Sequence, residues 1–462
     1  LSIRRQRQMC IRDRLYTSCL LLTFSLLPIS AQLMSVDPNN LASSNEETAS
    51  SPLKEALSQD IDGLMSKVIK WRHHFHEYPE LGNREFKTSK YIAEILTDLG
   101  LEVQTEIAYT GVTAYIRGEH PGPLMALRAD IDALPVTEMT NLPYASKVTT
   151  TYQGNEVGVM HACGHDAHIA VMLGVADFLS RNTENLHGDI LLIFQPAEEG
   201  PPEGEEGGAE LMLKEGIFEE RPDVVFGMHV TNSYHGAVAA KSGPAMASAE
   251  AFRINIKGTQ SHGSTPWASN DPVMAAFDIG TSLQTIISRR IDIRENPAVI
   301  SVGIVKAGSR NNIIPESAML EGTIRTFDND VLDLIHQEMT TIATNIAEAH
   351  NVEASVDFAI YGSYPVTVND PDLVKNYSKS LIEASDGMFS SDILASTGAE
   401  DFSFFANEVP GLYFWLGVNA ENVTSAPGNH TPYFVVHDSA LDTGVKSFVN
   451  LVSDYSADHS NN

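Results

Sequence analysis

Two short segments, each rich in polar side chains and each next to an apolar run, place the strongest constraint on the fold. The first, residues 161–168, carries three histidines, one cysteine and one aspartate. The second, residues 195–199, ends in two adjacent glutamates and follows the apolar run 189–194, which is typical of a buried strand. Divalent transition metals prefer imidazole, thiolate and carboxylate ligands. Two neighbouring glutamates also allow one to bind metal while the other acts as a base, as metal-assisted hydrolysis requires.

Each of these residues, taken alone, has an ordinary structural explanation. A single histidine is commonly structural, a Glu-Glu pair commonly lies in a solvated loop, and Cys163 alone would pack as a small apolar residue. The clustering of these residues between apolar runs favours a metal site. For His161 and His168 the structural and functional interpretations have equal weight. The same holds for Asp166, which could instead orient His165.

Strands and helices alternate along much of the chain, which predicts an α/β fold with a mostly parallel sheet and helices on both faces. The predicted strands are 112–115, 124–128 and 190–194, and the predicted helices begin at Ile61 and cover 85–99 and 167–181. Ligands bind at the carboxyl ends of the strands in such sheets. Asp130, the glutamate pair and His229 each follow a predicted strand, so we expect them at one edge of the sheet.

The pattern changes between residues 248 and 358, where strands and helices follow one another in βαββαβ order. This order predicts a small ferredoxin-like sheet with two helices on one face. We therefore expect a metal-binding catalytic domain formed by residues 61–247 and 359–456, interrupted by an inserted domain at residues 248–358.

The N-terminal residues have the features of an export signal. Arginines precede a short apolar run at residues 15–31, which ends in small residues and is too short for a lasting membrane span. We expect residues 1–31 to be a signal peptide, residues 32–60 to be a flexible leader and the mature protein to be periplasmic or secreted. We interpret residues 1–14, which lack an initial methionine, as translated adapter sequence. No other segment has 18 uninterrupted apolar residues, so no membrane association is expected after removal of the signal.

Composition argues against nucleic acid as a partner and supports a role for Cys163 as a metal ligand. The chain has 30 Lys+Arg against 60 Asp+Glu, a net charge of −30, which argues against nucleic-acid binding. Cys10 and Cys19 lie in the predicted signal, so the mature chain would keep only Cys163 and form no internal disulfide. An exported free thiol is a liability unless it is bound or buried, and a metal ligand would be both.

Sequence motifs extend the pattern over nearly the whole predicted mature chain. They lie at residues 72–82, 127–135, 160–166, 194–199, 258–262, 311–315 and 398–402. In this order they resemble the M20 peptidase family, in the amidohydrolase branch that includes hippurate hydrolases and plant auxin-conjugate hydrolases. The strings HACGHD and QPAEE are the most specific, and the resemblance runs from about residue 64 to about residue 451.

The resemblance implies a centre of two divalent metal ions, Zn²⁺ or Mn²⁺. The ligands that it implies are Cys163, His165, Glu199, His229 and His430. It also implies that Glu198 is the general base, which takes a proton from the attacking water and passes it to the leaving nitrogen. In the broader family a metal-binding histidine stands two residues before Asp130. This chain has Arg128 there, so that ligand is absent and Cys163 is expected to replace it.

The resemblance assigns four further roles. It implies that His262 of the inserted domain stabilises the oxyanion, sometimes across a dimer interface, although the sequence alone favours a surface histidine. Asn312 and Arg325 would hold the substrate carboxylate, unless Arg325 pairs with a carboxylate of its own sheet. Asp130 would orient a ligand imidazole, with a loop cap as an equal alternative. A homodimer is expected, since the family often uses the inserted domain for dimerisation.

These observations predict a metal-dependent amidohydrolase that cleaves N-acyl or N-aroyl amino acids. A metallo-carboxypeptidase or dipeptidase of the same family, or an endopeptidase with an open groove, is an alternative. A hydrolase with Cys163 as nucleophile would leave the glutamate pair and His430 without a role. A non-catalytic binding protein on the same fold would be expected to lack Glu198, which is present.

Overall fold

The computed structural model describes residues 51–460, so the predicted signal peptide and most of the predicted leader lie outside the described residues. The helices are α1 (Pro52–Glu77), α2 (Phe86–Asp98), α3 (His165–Ser180), α4 (Gly208–Lys214), α5 (Pro272–Arg290), α6 (Asn329–Ala349), α7 (Pro371–Ala384), α8 (Phe402–Glu408) and α9 (Leu441–His459). The strands are β1 (Glu102–Ile107), β2 (Gly111–Arg117), β3 (His120–Asp130), β4 (Thr149–Tyr152), β5 (Asn155–Gly158), β6 (His187–Gln195), β7 (Val224–Thr231), β8 (Val238–Ala239), β9 (Gly243–Met246), β10 (Ala249–Lys257), β11 (Ser261–His262), β12 (Ala298–Ala307), β13 (Ile313–Ile314), β14 (Ser317–Thr326), β15 (Glu353–Tyr364), β16 (Thr367–Asn369), β17 (Phe389–Ser390) and β18 (Gly411–Gly417). None of the helices in this part of the chain has the length and apolar character needed to cross a bilayer.

Helix α1 starts earlier than the sequence predicted. It begins at Pro52 rather than Ile61, so the expected flexible leader of residues 32–60 is wrong for residues 52–60. The hydroxyl of Ser51 caps the helix by accepting from the N–H of Lys54 at 3.3 Å, and proline suits the first helical position. Leu53 and Leu57, one turn apart, are buried in the main core. Burial of these two leucines stabilises the first turns of the helix, which the polar composition of the segment did not predict.

A large mixed sheet forms the centre of the molecule, as the α/β prediction required. Its strand order is β1-β2-β6-β3-β7-β18-β8-β17, and the central strands β6, β3, β7 and β18 run parallel to one another. Successive residues of β6 face opposite sides: Leu192 packs with α1, α3 and α9, whereas Leu191 packs with α4 and α8. Helices therefore cover both faces, which explains the nearly continuous burial of the central strands.

The parallel strands bring the predicted site residues to one edge. Asp130 is the last residue of β3 and pairs with Gln195, the last residue of the adjacent β6. His229 lies within the neighbouring strand β7, which continues two residues further to Thr231 instead of ending before the histidine. The carboxyl ends of β6, β3 and β7 are thus side by side, where open α/β sheets bind ligands.

A second sheet is formed by residues 249–364, which we call the inserted domain. Its strand order is β12-β14-β10-β15, with every neighbouring pair antiparallel. Phe252, Ile254 and Ile256 alternate along β10 into a separate core with α5 and α6. The element order is the predicted βαββαβ, and the last strand continues to Tyr364, past the predicted boundary at residue 358.

Candidate metal centre and substrate cavity

A glycine turn places two of the predicted ligands at the start of α3. Gly164 has a φ of 95°, and a Cβ added there would lie 2.3 Å from Cγ2 of Val230, so the turn requires glycine. Cys163 precedes this glycine, and His165 is the first residue of the helix. Both side chains are buried. The short spacing of the HACGHD string therefore directs a thiol and an imidazole to the same place.

The two glutamates lie in a tight turn after β6. Ala197 has a φ of 52°, an uncommon conformation for a residue with a side chain. Hydrogen bonds fix the turn: the N–H of Ala197 donates to Oε1 of Glu85 at 2.9 Å. The N–H groups of Glu198 and Glu199 donate to the two carboxylate oxygens of Asp132, at 3.1 and 3.0 Å. Asp132 was not among the predicted site residues, although it belongs to the motif at residues 127–135.

All five predicted metal ligands converge around the thiol. Sγ of Cys163 lies 3.3 Å from Nε2 of His229 and 3.2 Å from Nε2 of His430. Nε2 of His430 lies 3.0 Å from Oε1 of Glu199. Potential ligand atoms of Cys163, His165 and His229 lie within 4.8 Å of one another, and so do those of Cys163, Glu199 and His430. Two overlapping groups of donors thus share the cysteine.

The hydrogen bonds of the imidazoles leave the correct nitrogens available for metal. Nδ1 of His165 donates to the main-chain oxygen of Asp132 at 2.8 Å, and Nδ1 of His229 donates to that of Val230 at 2.7 Å. In the neutral form that a metal ligand requires, each ring would carry its lone pair on Nε2. Nε2 of His165 is buried and has no hydrogen-bond partner among residues 51–460. A buried lone pair of this kind fits a metal ion, and the donor set of thiolate, imidazoles and carboxylate fits two.

The charge of the site also favours cations. Burial, followed by the carboxylates of Glu400, Glu199 and Asp401, raises the pKa of Glu198 well above its usual value. Burial opposes protonation of His165, yet Asp130, Asp132 and Glu199 together raise its pKa to about 10. Several buried carboxylates therefore lie close together in the site and repel one another. Divalent cations would relieve this repulsion and deprotonate a coordinated thiol.

The same electrostatics disfavour Cys163 as a nucleophile. Burial, then the carboxylates of Glu199 and Glu198, raise the pKa of the thiol well above its usual value. A nucleophilic cysteine needs the opposite, an electropositive and partly exposed position that stabilises the thiolate. The structure therefore supports a metal ligand over a cysteine hydrolase.

Asp130 contacts a histidine outside the predicted ligand set. Its Oδ1 accepts from Nδ1 of His168 at 2.5 Å, and Nε2 of that ring accepts from the N–H of Val230 at 2.9 Å. His165 lies farther from Asp130, at 3.6 Å, and is oriented by Asp132 instead. His168 thus links the end of β3 to the backbone beside His229.

Arg128 stands where the resemblance led us to look for a metal-binding histidine, and it is fully buried. Its guanidinium lies 2.7 Å from Asp130, 2.8 Å from Glu400 and 2.7 Å from Asp401, and Nε donates to Gln195 at 2.8 Å. Arg128 thus neutralises buried carboxylates behind the metal centre.

A cavity of about 720 Å³ opens beside this centre. It is lined by predicted ligands and the predicted base, and also by Arg325 of β14 in the inserted domain. Apolar side chains form another wall: Met246, Val299, Ile393, Leu394 and Trp415. The structure therefore brings Arg325 into the same cavity as Glu198.

His262 and Asn312 lie elsewhere. They are exposed, neighbour one another through the paired strands β11 and β13, and are not among the cavity-lining residues of the described chain. The N–H of Gly263 donates to the main-chain oxygen of Asn312 at 2.8 Å. These two predicted substrate-contacting residues are thus together on the inserted domain but apart from the other site residues.

Comparison with known proteins agrees with the geometry. A model of the peptidase family M20/M25/M40 matches residues 126–454. Thermostable carboxypeptidase 1 of Saccharolobus solfataricus is 39% identical over 406 residues, covering 87% of this chain and 99% of the relative. The putative amidohydrolase YhaA of Bacillus subtilis is 36% identical over 398 residues, covering 86% of this chain and 96% of the relative.

A solved structure of a member of this family is also similar to most of the chain. The Bacillus subtilis YXEP protein, described as a dinuclear metal binding peptidase from the M20 family, superposes with a TM-score of 0.71 at 33% identity. The alignment covers 86% of this chain and 99% of that protein. Since the family model and near full-length relatives agree with a donor set suited to two metals, this chain belongs to peptidase family M20/M25/M40 and is a metal-dependent amide-bond hydrolase.

Proposed function

We propose that this protein hydrolyses N-acyl or N-aroyl amino acids, with Glu198 as the general base. The observation that carries the proposal is the presence of Arg325 and the glutamate pair in one cavity. One end of the cavity suits a scissile carbonyl, and Arg325 suits a carboxylate. An N-acyl amino acid carries both groups, separated by one amino-acid backbone.

Arg325 has the properties of a binding residue rather than a structural one. It makes no hydrogen bond or ion pair with another side chain in residues 51–460, whereas Arg253 of the same sheet pairs with Glu321 at 2.8 Å. Burial without a counter-charge lowers the pKa of Arg325. A substrate carboxylate would supply that counter-charge through a bidentate contact.

The lining of the cavity also limits the acyl group. Within the described residues, Arg325 is the only lysine or arginine that lines it, while Glu198, Glu199 and Glu400 supply carboxylates. A second anionic group on the substrate, as in a succinyl amide, would face these carboxylates without a partner. The apolar wall with Leu394 and Trp415 instead suits a neutral alkyl or aryl acyl group.

The catalytic roles follow from the position and charge of the chain's own residues. Bound divalent metals would supply an acidified water and polarise the scissile carbonyl. Glu198 lies beside the donor cluster, with Oε2 at 3.9 Å from Nε2 of His165, and its main chain is fixed by Asp132. From this position it could take a proton from water and then pass it to the leaving nitrogen. Zinc is favoured by the cysteine ligand, and manganese is the alternative.

His262 is proposed to complete the site from the partner of a homodimer. The N–H of Ser264 donates to Nδ1 of His262 at 3.1 Å, so the neutral ring carries its proton on the exposed Nε2. An exposed N–H donor suits an oxyanion. Because His262 and Asn312 do not line the cavity of their own chain, delivery to another subunit accounts for their exposure.

A carboxypeptidase that removes a C-terminal residue is the second candidate. The 39% identity to a thermostable carboxypeptidase favours it, and Arg325 would hold a peptide carboxylate equally well. The two candidates differ at the other end of the substrate. A free peptide carries an ammonium group that the cavity carboxylates would attract, whereas an N-acyl amino acid carries a neutral group there.

A substrate panel with metal-loaded enzyme tests the proposal. It compares N-benzoylglycine, N-acetylglycine, N-succinylglycine and a Gly-Gly dipeptide by kcat/KM. We expect the benzoyl compound to be preferred and the succinyl compound to be poorest. Preference for the dipeptide would favour a carboxypeptidase or dipeptidase over the proposed function, and preference for the succinyl compound would contradict the charge argument.

A further inference from the structure

The last residue of the inserted domain contacts the turn that carries the predicted base. Tyr364 ends β15, and its hydroxyl donates to the main-chain oxygen of Glu198 at 2.7 Å. The ring is half-buried, lines the substrate cavity and lies edge-on to Phe404 with 6.3 Å between ring centroids. The donated bond thus crosses from the inserted domain to the catalytic domain.

This hydrogen bond acts on a particular peptide group. The carbonyl of Glu198 and the N–H of Glu199 belong to the same peptide plane, which joins the predicted base to the predicted ligand. Asp132 holds the N–H side of the plane at 3.0 Å, and Tyr364 holds the C=O side at 2.7 Å. A peptide plane held on both sides cannot rotate without breaking one of these bonds.

The remaining contacts of the turn come from the catalytic domain. Glu85 holds the N–H of Ala197, and Asp132 holds the next two N–H groups. Ala197 has left-handed backbone geometry, so the turn depends on its surroundings to stay in this conformation. Among the side-chain hydrogen bonds to the turn within residues 51–460, that of Tyr364 is the one made by the inserted domain.

We propose that Tyr364 is a positioning residue for Glu198, acting through the peptide between the two glutamates and linking the placement of the inserted domain to that of the base. This inference rests on the proposed role of Glu198. The position of β15 explains the link: Tyr364 pairs with Ala249, the first residue of β10, so it lies where the chain passes between the two domains. Displacement of the inserted domain would therefore act on this bond.

The test is Tyr364→Phe, which keeps the ring against Phe404 and removes the donor. Tyr361→Phe is the matched control, because its hydroxyl donates to Glu321 at 2.9 Å on the same strand, away from the cavity. With metal at saturation, we expect kcat of Tyr364→Phe to fall about 3- to 10-fold, the usual effect of one hydrogen bond. KM should match that of Tyr361→Phe, since the hydroxyl contacts protein rather than substrate.

A second background separates positioning from general structural damage. In Glu198→Gln, adding Tyr364→Phe should not lower the residual rate further, because no base remains to be positioned. The role of Tyr364 alone would be overturned if Tyr364→Phe lowered kcat equally in the wild-type and Glu198→Gln backgrounds. It would also be overturned if Tyr364→Phe kept the wild-type kcat while Glu198→Gln lost activity. Near wild-type turnover of Glu198→Gln would overturn the proposed function on which it rests.

Discussion

Sγ of Cys163 lies 3.2 Å from Nε2 of His430, although 267 residues separate them in the chain. Both side chains belong to the predicted ligand set, and a metal ion shared between them would account for their contact. We therefore predict that Cys163→Ala and His165→Ala lower the bound metal measured by elemental analysis. His262→Ala, on the exposed loop, is the control and should retain full metal. Full occupancy in both ligand variants would contradict the assignment.

Arg325 should determine the preference for a free carboxylate. For the wild type, converting the carboxylate of hippurate to an amide should raise KM sharply. Arg325→Ala should raise KM for the acid by about 10- to 100-fold, the range of a charge-assisted hydrogen bond, and leave KM for the amide nearly unchanged.

Arg253→Ala is the matched control for this experiment. Arg253 lies on the neighbouring strand but is paired with Glu321 and does not line the cavity. It should leave both KM values unchanged. Equal KM for acid and amide in the wild type would remove the carboxylate-binding role while leaving the metal hydrolase intact.

Substitution of His262 tests whether one subunit donates this residue to the active site of its partner. We expect His262→Ala to lower kcat by about 10²- to 10³-fold, the effect of losing one oxyanion donor, with metal content unchanged. Mixing His262→Ala chains with Glu198→Gln chains should restore part of the activity, since a heterodimer would contain one site with both residues intact. Absence of recovery in verified heterodimers would exclude donation across subunits.

Arg128 should be essential for stability rather than for metal binding. Arg128→Met would leave Asp130, Glu400 and Asp401 buried without their shared cation. Breaking buried pairs of this kind costs about 3–5 kcal/mol in the free energy of unfolding. Arg84→Met, which removes an exposed pair with Glu205, should cost much less in the same urea titration. Equal losses for the two variants would contradict this role.

The sequence was most informative where site residues are close together in the chain. Cys163 and His165 share one turn, and Glu198 lies in the short turn after an apolar strand, so their chemistry could be inferred from local spacing. His430 has no such local signal, and only the family resemblance assigned it. Arg325 left two interpretations open, and its lack of an ion-pair partner in residues 51–460 favours the binding role.

Residues that act on the backbone could not be predicted in this way. The roles of Asp132 and Tyr364 depend on which N–H and C=O groups face them after folding, and neither residue type indicates this in a sequence. Helix α1 is a different case, because Ser51 followed by Pro52 is an ordinary start signal for a helix. The segment was predicted to be a flexible leader because most of its residues are polar. In the structure its two leucines, Leu53 and Leu57, are buried.

The most direct test of the central claim compares Glu198→Gln with Glu199→Gln. Both substitutions replace a carboxylate by an amide in the same turn, so they differ mainly in role. We predict that Glu198→Gln retains wild-type metal content and loses turnover by about 10²-fold or more, as expected for a positioned base. Glu199→Gln should instead lose metal. Near wild-type hydrolysis by Glu198→Gln, with metal bound, would contradict the account.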